Sequence, residues 1–131
     1  MKTLIVEDSF LNRMLLQEYL KGYGESHVAV NGKEAVEAVR TALESGKPYD
    51  LICLDIMMPE MDGQQALKEI RALEESWKII HDRNSIIIMT TAVKDLKNVT
   101  EAYNNMCDGY LAKPIRKEKF LEDLRQLKLI P

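Results

Sequence analysis

Short apolar runs alternate with longer stretches of helical period along this chain. TLIVE (3–7), HVAV (27–30), DLICLD (50–55), SIIIMT (85–90) and GYLA (109–112) have strand length and are rich in β-branched residues and leucine. Three of these runs are apolar without alternation, which predicts strands buried on both faces. Between them lie helical patterns. Ser9 is placed to cap a helix carrying Leu11, Met14, Leu15 and Leu16 toward Leu20, closed by Gly22 and Gly24. Asn31-Gly32 opens a second with Ala35, Val36, Val39 and Leu43, stopped by Gly46 and Pro48. A third follows Gly63 through Ala66, Leu67, Ile70 and Leu73, and its pattern runs on to Trp77 and Ile80. Ala102 and Met106 mark a fourth; Phe120, Leu121, Leu124 and Leu127 mark a fifth.

The predicted order is βαβαβαβαβα. Each parallel pair needs a right-handed crossover, so this alternation implies an α/β domain in three layers, a parallel sheet with helices on both faces. No repeat, low-complexity tract or linker interrupts it, and residues 1–131 read as one domain.

Composition narrows the function. With 46% apolar and 30% charged residues the chain can bury a core of its own, and its net charge of −3 offers no electrostatic footprint for nucleic acid or an acidic membrane. The start, MKTLIVEDS, is too short in apolar residues for a signal peptide or a membrane span, so a cytoplasmic protein is expected. Cys53 lies inside an apolar run and reads as a buried thiol; His27 and His81 lack ligand-spaced neighbours, which argues against zinc.

In a parallel sheet the carboxyl ends of all strands lie along one edge, and open α/β folds bind ligands there. Past the first run stand Glu7 and Asp8, past the third Asp55, past the fourth Thr90 and Thr91, past the fifth Lys113-Pro114. If the first and third strands are neighbours, about 4.8 Å apart, their acids reach one small cation. Left alone, these acids repel and raise one another's pKa. Oxygen ligands of this kind suit Mg²⁺, which keeps several waters and is completed by a phosphate; the lysine then meets that phosphate. In LICLDIMMPEMDG (51–63) the apolar run holds Asp55 at a fixed place, and Pro59 and Gly63 shape the loop beyond it.

LIVEDS, LDIMMPEMDG, MTTA and GYLAKP, in this order and over nearly the whole chain, resemble the receiver domain of two-component response regulators, the CheY-like family. The resemblance implies a flavodoxin-like (βα)5 doubly wound sheet with strand order 2-1-3-4-5. It also implies that Asp55 is the phosphoacceptor, receiving a phosphoryl group from a histidine kinase or phosphotransfer protein. Asp8 then binds Mg²⁺ directly, Glu7 mainly through water, and the Met57 backbone carbonyl adds a ligand. Thr91 and Lys113 contact phosphoryl oxygens, and Tyr110 swings inward as Thr91 moves. The output implied is a switch of the surface formed by the fourth helix, fifth strand and fifth helix toward a downstream target protein. The basic run KPIRKEK (113–119) adjoins that surface, and a homodimer formed on phosphorylation would use the same elements.

Two positions depart from the polar residues often found in this family: Met57, two after Asp55, and Val93, two after Thr91. Slow loss of the phosphoryl group is expected from them. The methionines, Met57, Met58 and Met61 among them, are expected to fill gaps in core and loop. RALEESWKIIHDRNS (71–85) is long for a connection, and core packing of Trp77, Ile79 and Ile80 on an extended helix is the expectation. A Mg²⁺-dependent aspartyl-phosphate phosphatase is the rival reading, but such enzymes carry a second acid where this chain has Met57. A flavin carrier would need a Ser/Thr/Gly-rich phosphate loop where Glu7-Asp8 stand. With Pro131 just past the fifth helix, output through another protein is expected, with no turnover substrate of the chain's own.

Overall fold

The computed structural model describes residues 1–58, 60–77 and 84–131. Pro59, Ile79, Ile80 and His81 lie outside the described residues. Strands β1 (Thr3–Val6), β2 (Ser26–Ala29), β3 (Leu51–Asp55), β4 (Ile86–Ala92) and β5 (Gly109–Lys113) alternate with helices α1 (Phe10–Tyr19), α2 (Gly32–Glu44), α3 (Gly63–Ser76), α4 (Val99–Asn104) and α5 (Lys117–Gln126). A 3-10 helix, Val93–Asn98, precedes α4. All strands pair in parallel, in the order β2-β1-β3-β4-β5, the flavodoxin-like doubly wound arrangement.

Strand alternation splits the apolar runs between two cores. Leu4, Val6, Ile52, Leu54, Ile87 and Met89 pack with Val36, Val39, Leu67 and Ile70 of α2 and α3. Ile5, Leu51, Cys53, Ile88 and Leu111 pack on the other side with Leu16, Phe120 and Leu124 of α1 and α5. Each fully buried leucine or isoleucine contributes about 1.5–3 kcal/mol, so these two layers outweigh any single helix cap, worth about 1 kcal/mol. The caps decide where helices begin. Ser9 Oγ, Asn31 Oδ1 and Asp62 Oδ1 accept the backbone N–H of Asn12, Glu34 and Gln65 at 3.4, 2.8 and 2.9 Å.

Helix α1 forms where expected; Leu16 and the C-cap Leu20 join the core with Tyr19 packed against it, while Leu11, Met14 and Leu15 are exposed, because a helix lying on a sheet turns one stripe inward. Two expectations need correction. Helix α3 ends at Ser76, and Trp77 is 45% exposed at its C-cap, so it does not pack in the core as an extended helix would require. The fourth helix is only Val99–Asn104, and Met106 lies beyond it, exposed, with a left-handed φ of 75° that turns the chain toward β5. Among the described residues no helix is long and apolar enough to cross a membrane.

Candidate functional site

The register of the sheet delivers the acids to one level. Val6 pairs with Leu54, so Glu7 and Asp55 stand side by side at the ends of β1 and β3. Asp55 pairs with Thr90, and Lys113 pairs with Ala92. Side chains alternate along strands, so Glu7, Asp55 and Lys113 follow Ile5, Cys53 and Leu111 onto the face of α1 and α5. There Lys113 Nζ lies 2.9 Å from Glu7 Oε2 and 3.1 Å from Asp55 Oδ2. The Glu7 side chain is 1% exposed, that of Asp55 4%, and that of Lys113 22%, so both carboxylates depend on the ammonium rather than on water. Lys113–Pro114 is a cis peptide bond.

Asp8, exposed at the mouth, completes the cluster: one carboxylate oxygen from each of Glu7, Asp8 and Asp55 lies within 4.8 Å of the others. Three carboxylates face one ammonium, and the excess negative charge attracts a cation. The donors are oxygens alone, which fits Mg²⁺ and does not fit a thiolate- or imidazole-seeking metal. Burial first, then the charge of Glu7, hold the Asp55 carboxyl well above the usual carboxylate range, against the opposing charge of Lys113. For Lys113, burial works to lower the pKa, but its contacts with Glu7 and Asp55 outweigh it and keep the ammonium above its ordinary value.

The loop after Asp55 is drawn tightly around it. The Met57 N–H donates to Asp55 Oδ1 at 3.3 Å, and the Gly63 N–H donates to the Ile56 carbonyl at 2.8 Å. A Cβ on Gly63 would collide with the Asp55 carbonyl oxygen, so only glycine lets α3 start so close to the acid. The side chains of Met58 and Met61 pack against the core as expected, whereas that of Met57 does not: it is 56% exposed.

Thr91 and Tyr110 occupy the opposite side. Tyr110 pairs with Met89, and Thr91 follows Met89 by two, so both belong to the face of α2 and α3. Thr91 is fully buried and donates its hydroxyl to the Ala92 carbonyl at 3.3 Å. Tyr110 is 43% exposed and meets Tyr103 of α4 edge to face, with ring centroids 6.4 Å apart.

Sequence reasoning passed over Asn12 and Arg13. Asn12 Nδ2 donates to Glu7 Oε1 at 3.4 Å, beside the Ser9 N–H at 3.2 Å, and the Arg13 guanidinium donates to the Glu7 and Asp8 carbonyls. Two polar residues on the first turn after an acid pair were the available sign, but their targets depend on how the loop folds back.

The model of the response regulator receiver domain matches residues 3–125. The chain is 33% identical over 128 residues to the chemotaxis protein CheY of Thermotoga maritima, covering 96% of each. It is 31% identical over 120 residues to the osmosensing histidine protein kinase SLN1 of Saccharomyces cerevisiae, covering 90% of this chain and 9% of that one. The chain thus spans a small part of the kinases it matches, 6% for a hybrid signal transduction histidine kinase of Dictyostelium discoideum. Among solved structures it resembles the receiver domain of a Pseudomonas aeruginosa sensor histidine kinase, with a magnesium ion coordinated in its active site cleft, at TM-score 0.77 and 27% identity over 95% and 94% of the two chains. It also resembles the receiver domain of the response regulator Ssk1, crystallised with the Saccharomyces cerevisiae phosphotransfer protein Ypd1, at TM-score 0.80 and 27% identity over 96% and 87%. With a family match along nearly its whole length and acids, lysine and hydroxyl on the expected strands, the chain belongs to the response regulator receiver domains of two-component systems.

Proposed function

We propose that this receiver takes a phosphoryl group onto Asp55 from a phosphohistidine of a histidine kinase or phosphotransfer protein, and that the modified site redirects the surface of α4, β5 and α5 toward a downstream protein. The observation that carries this reading is the Lys113 ammonium set between Glu7 and Asp55, with Asp8 closing a cluster of three carboxylates. In the transfer an Asp55 carboxylate oxygen forms the new bond to phosphorus as the bond from phosphorus to the histidine nitrogen breaks, and the electron pair leaves with the imidazole. Such a transfer spreads negative charge over the phosphoryl oxygens, so positioning and charge neutralisation do most of the work. Lys113 offers one cation already in reach. Glu7, Asp8 and Asp55, with the Met57 backbone carbonyl, would hold Mg²⁺, which supplies further neutralisation when bound.

The added dianion competes with Glu7 for Lys113, and it becomes a stronger acceptor for the Thr91 hydroxyl than the Ala92 carbonyl once the end of β4 turns that hydroxyl toward the acids. Tyr110, on the same face as Thr91, follows. A protein donor is supported by the exposed Phe10, Leu11, Met14 and Leu15, which border Asp8 with an apolar patch suited to a protein surface. Cytoplasmic kinases and phosphotransfer proteins are the donors this reading calls for. Exposed Met57 stands where a phosphatase would keep its second acid, which favours a phosphoryl carrier over a turnover enzyme.

Incubation with Mg²⁺ and acetyl phosphate tests the reading by intact-mass and peptide analysis. One phosphoryl group on Asp55, absent in Asp55→Asn and after chelation, is the expected result. Label elsewhere, or none, overturns it.

A further inference from the structure

The Arg13 side chain binds two successive carbonyls of the loop that carries the acid pair, and its backbone adds the first helical bond of α1. Its guanidinium Nη1 donates to the Glu7 carbonyl at 3.0 Å and to the Asp8 carbonyl at 3.1 Å, while its own backbone N–H donates to the Ser9 carbonyl at 2.9 Å. The guanidinium also lies over the Phe10 ring, 5.7 Å from its centroid, which limits its freedom. On the other side of the loop the Glu7 N–H donates to the Ala29 carbonyl at 3.0 Å. Residues 7–9 are therefore held at both edges, by β2 and by α1.

We infer that Arg13 is a positioning residue for the Mg²⁺ site: it fixes the loop from which Glu7 and the exposed Asp8 project, so that their carboxylates need little ordering when the ion arrives. This rests on the reading of Glu7, Asp8 and Asp55 as the metal site. Coulomb's law alone gives the opposite expectation. A guanidinium near the acids repels an incoming dication, so removing it should tighten Mg²⁺ binding if charge were its main effect. Positioning requires that removal weaken binding. The sign of the change separates the two.

Calorimetric titration of the full chain with MgCl₂, without any phosphodonor, reads this directly. In Arg13→Met the dissociation constant for Mg²⁺ should rise about tenfold, the scale found when residues that orient metal ligands are lost. Its melting temperature in EDTA should stay at the wild-type value. Arg13→Lys, which keeps a charged donor on a flexible stem, should recover part of the affinity. If Arg13→Met does not fold, Arg13→Gln supplies the same comparison with a neutral donor. Unchanged or tighter binding in the methionine variant overturns the inference, as does a lower melting temperature in EDTA with Mg²⁺ affinity intact, which marks a merely structural arginine. Wild-type protein that takes up no Mg²⁺ overturns the metal site itself, a result distinguishable from failure of Arg13 alone.

Discussion

Lys113 stands between two carboxylates that the fold has taken out of water, and their stability depends on it. Breaking a buried ion pair by removing one partner costs about 3 kcal/mol, the lower part of the usual range applying because Lys113 is 22% exposed. Lys113→Met should lower the urea midpoint accordingly in EDTA, and Mg²⁺ should restore part of the loss by replacing the missing cation. Recovery by monovalent salt to the same degree would point to general screening instead. Met57 and Val93, 56% and 63% exposed, are apolar where the resemblance leads one to expect polar side chains that would orient a water. Met57→Asn and Val93→Glu should each shorten the lifetime of the phosphoryl group about tenfold, which is about 1.4 kcal/mol of barrier. Equal decay in a label-loss assay would reduce both residues to lining.

At the scale of elements, Arg71 of α3 joins three parts of the chain at the amino-terminal rim of the sheet, far from the acids. Its Nε donates to the Met106 carbonyl at 2.9 Å, its Nη1 to Glu74 and the Ser85 carbonyl at 2.7 and 2.8 Å, and its Nη2 to Asp108 at 2.9 Å. Asp108 in turn accepts the Ile87 N–H at 2.8 Å, so α3, β4 and the turn into β5 are tied together. Arg71→Met strands a nearly buried Glu74 and should cost about 3 kcal/mol in urea unfolding, with the response to Mg²⁺ retained. None of this was legible in the sequence. The partners of Arg71 lie 3, 14, 35 and 37 residues away, and no local pattern names them. Strands β1, β3 and β4 were legible because double-faced burial leaves an unbroken apolar run, and the starts of α1, α2 and α3 because Ser9, Asn31 and Asp62 cap as their chemistry dictates. The apolar period of α1 could not separate core from surface, since Leu11 and Leu16 look alike until the sheet takes one side. The end of the fourth helix was misread at Met106, where a single left-handed residue overrides the spacing.

For the whole molecule, Mg²⁺ binding at Glu7, Asp8 and Asp55, as proposed, would couple a ligand to folding. Carboxylates crowded within 4.8 Å destabilise the empty fold, and an ion that binds only the folded chain adds stability with the logarithm of its concentration, about 2.7 kcal/mol at a hundredfold excess over its dissociation constant. The melting temperature should therefore climb with added Mg²⁺, and the climb should vanish in Asp8→Ala. The placement of the acids, threonine and lysine was legible from strand ends alone, because a parallel sheet gathers those ends on one edge. The Arg13 clamp was not, because it depends on a loop folding back on its own helix.

Thr90 faces the acid side of the sheet and Thr91 the tyrosine side, and they are neighbours in β4. An event at Asp55 thus has a single peptide plane to cross before it is felt beneath Tyr110. The sheet is a thin partition rather than a barrier, so a change at the acids reaches its far face without travelling along a strand.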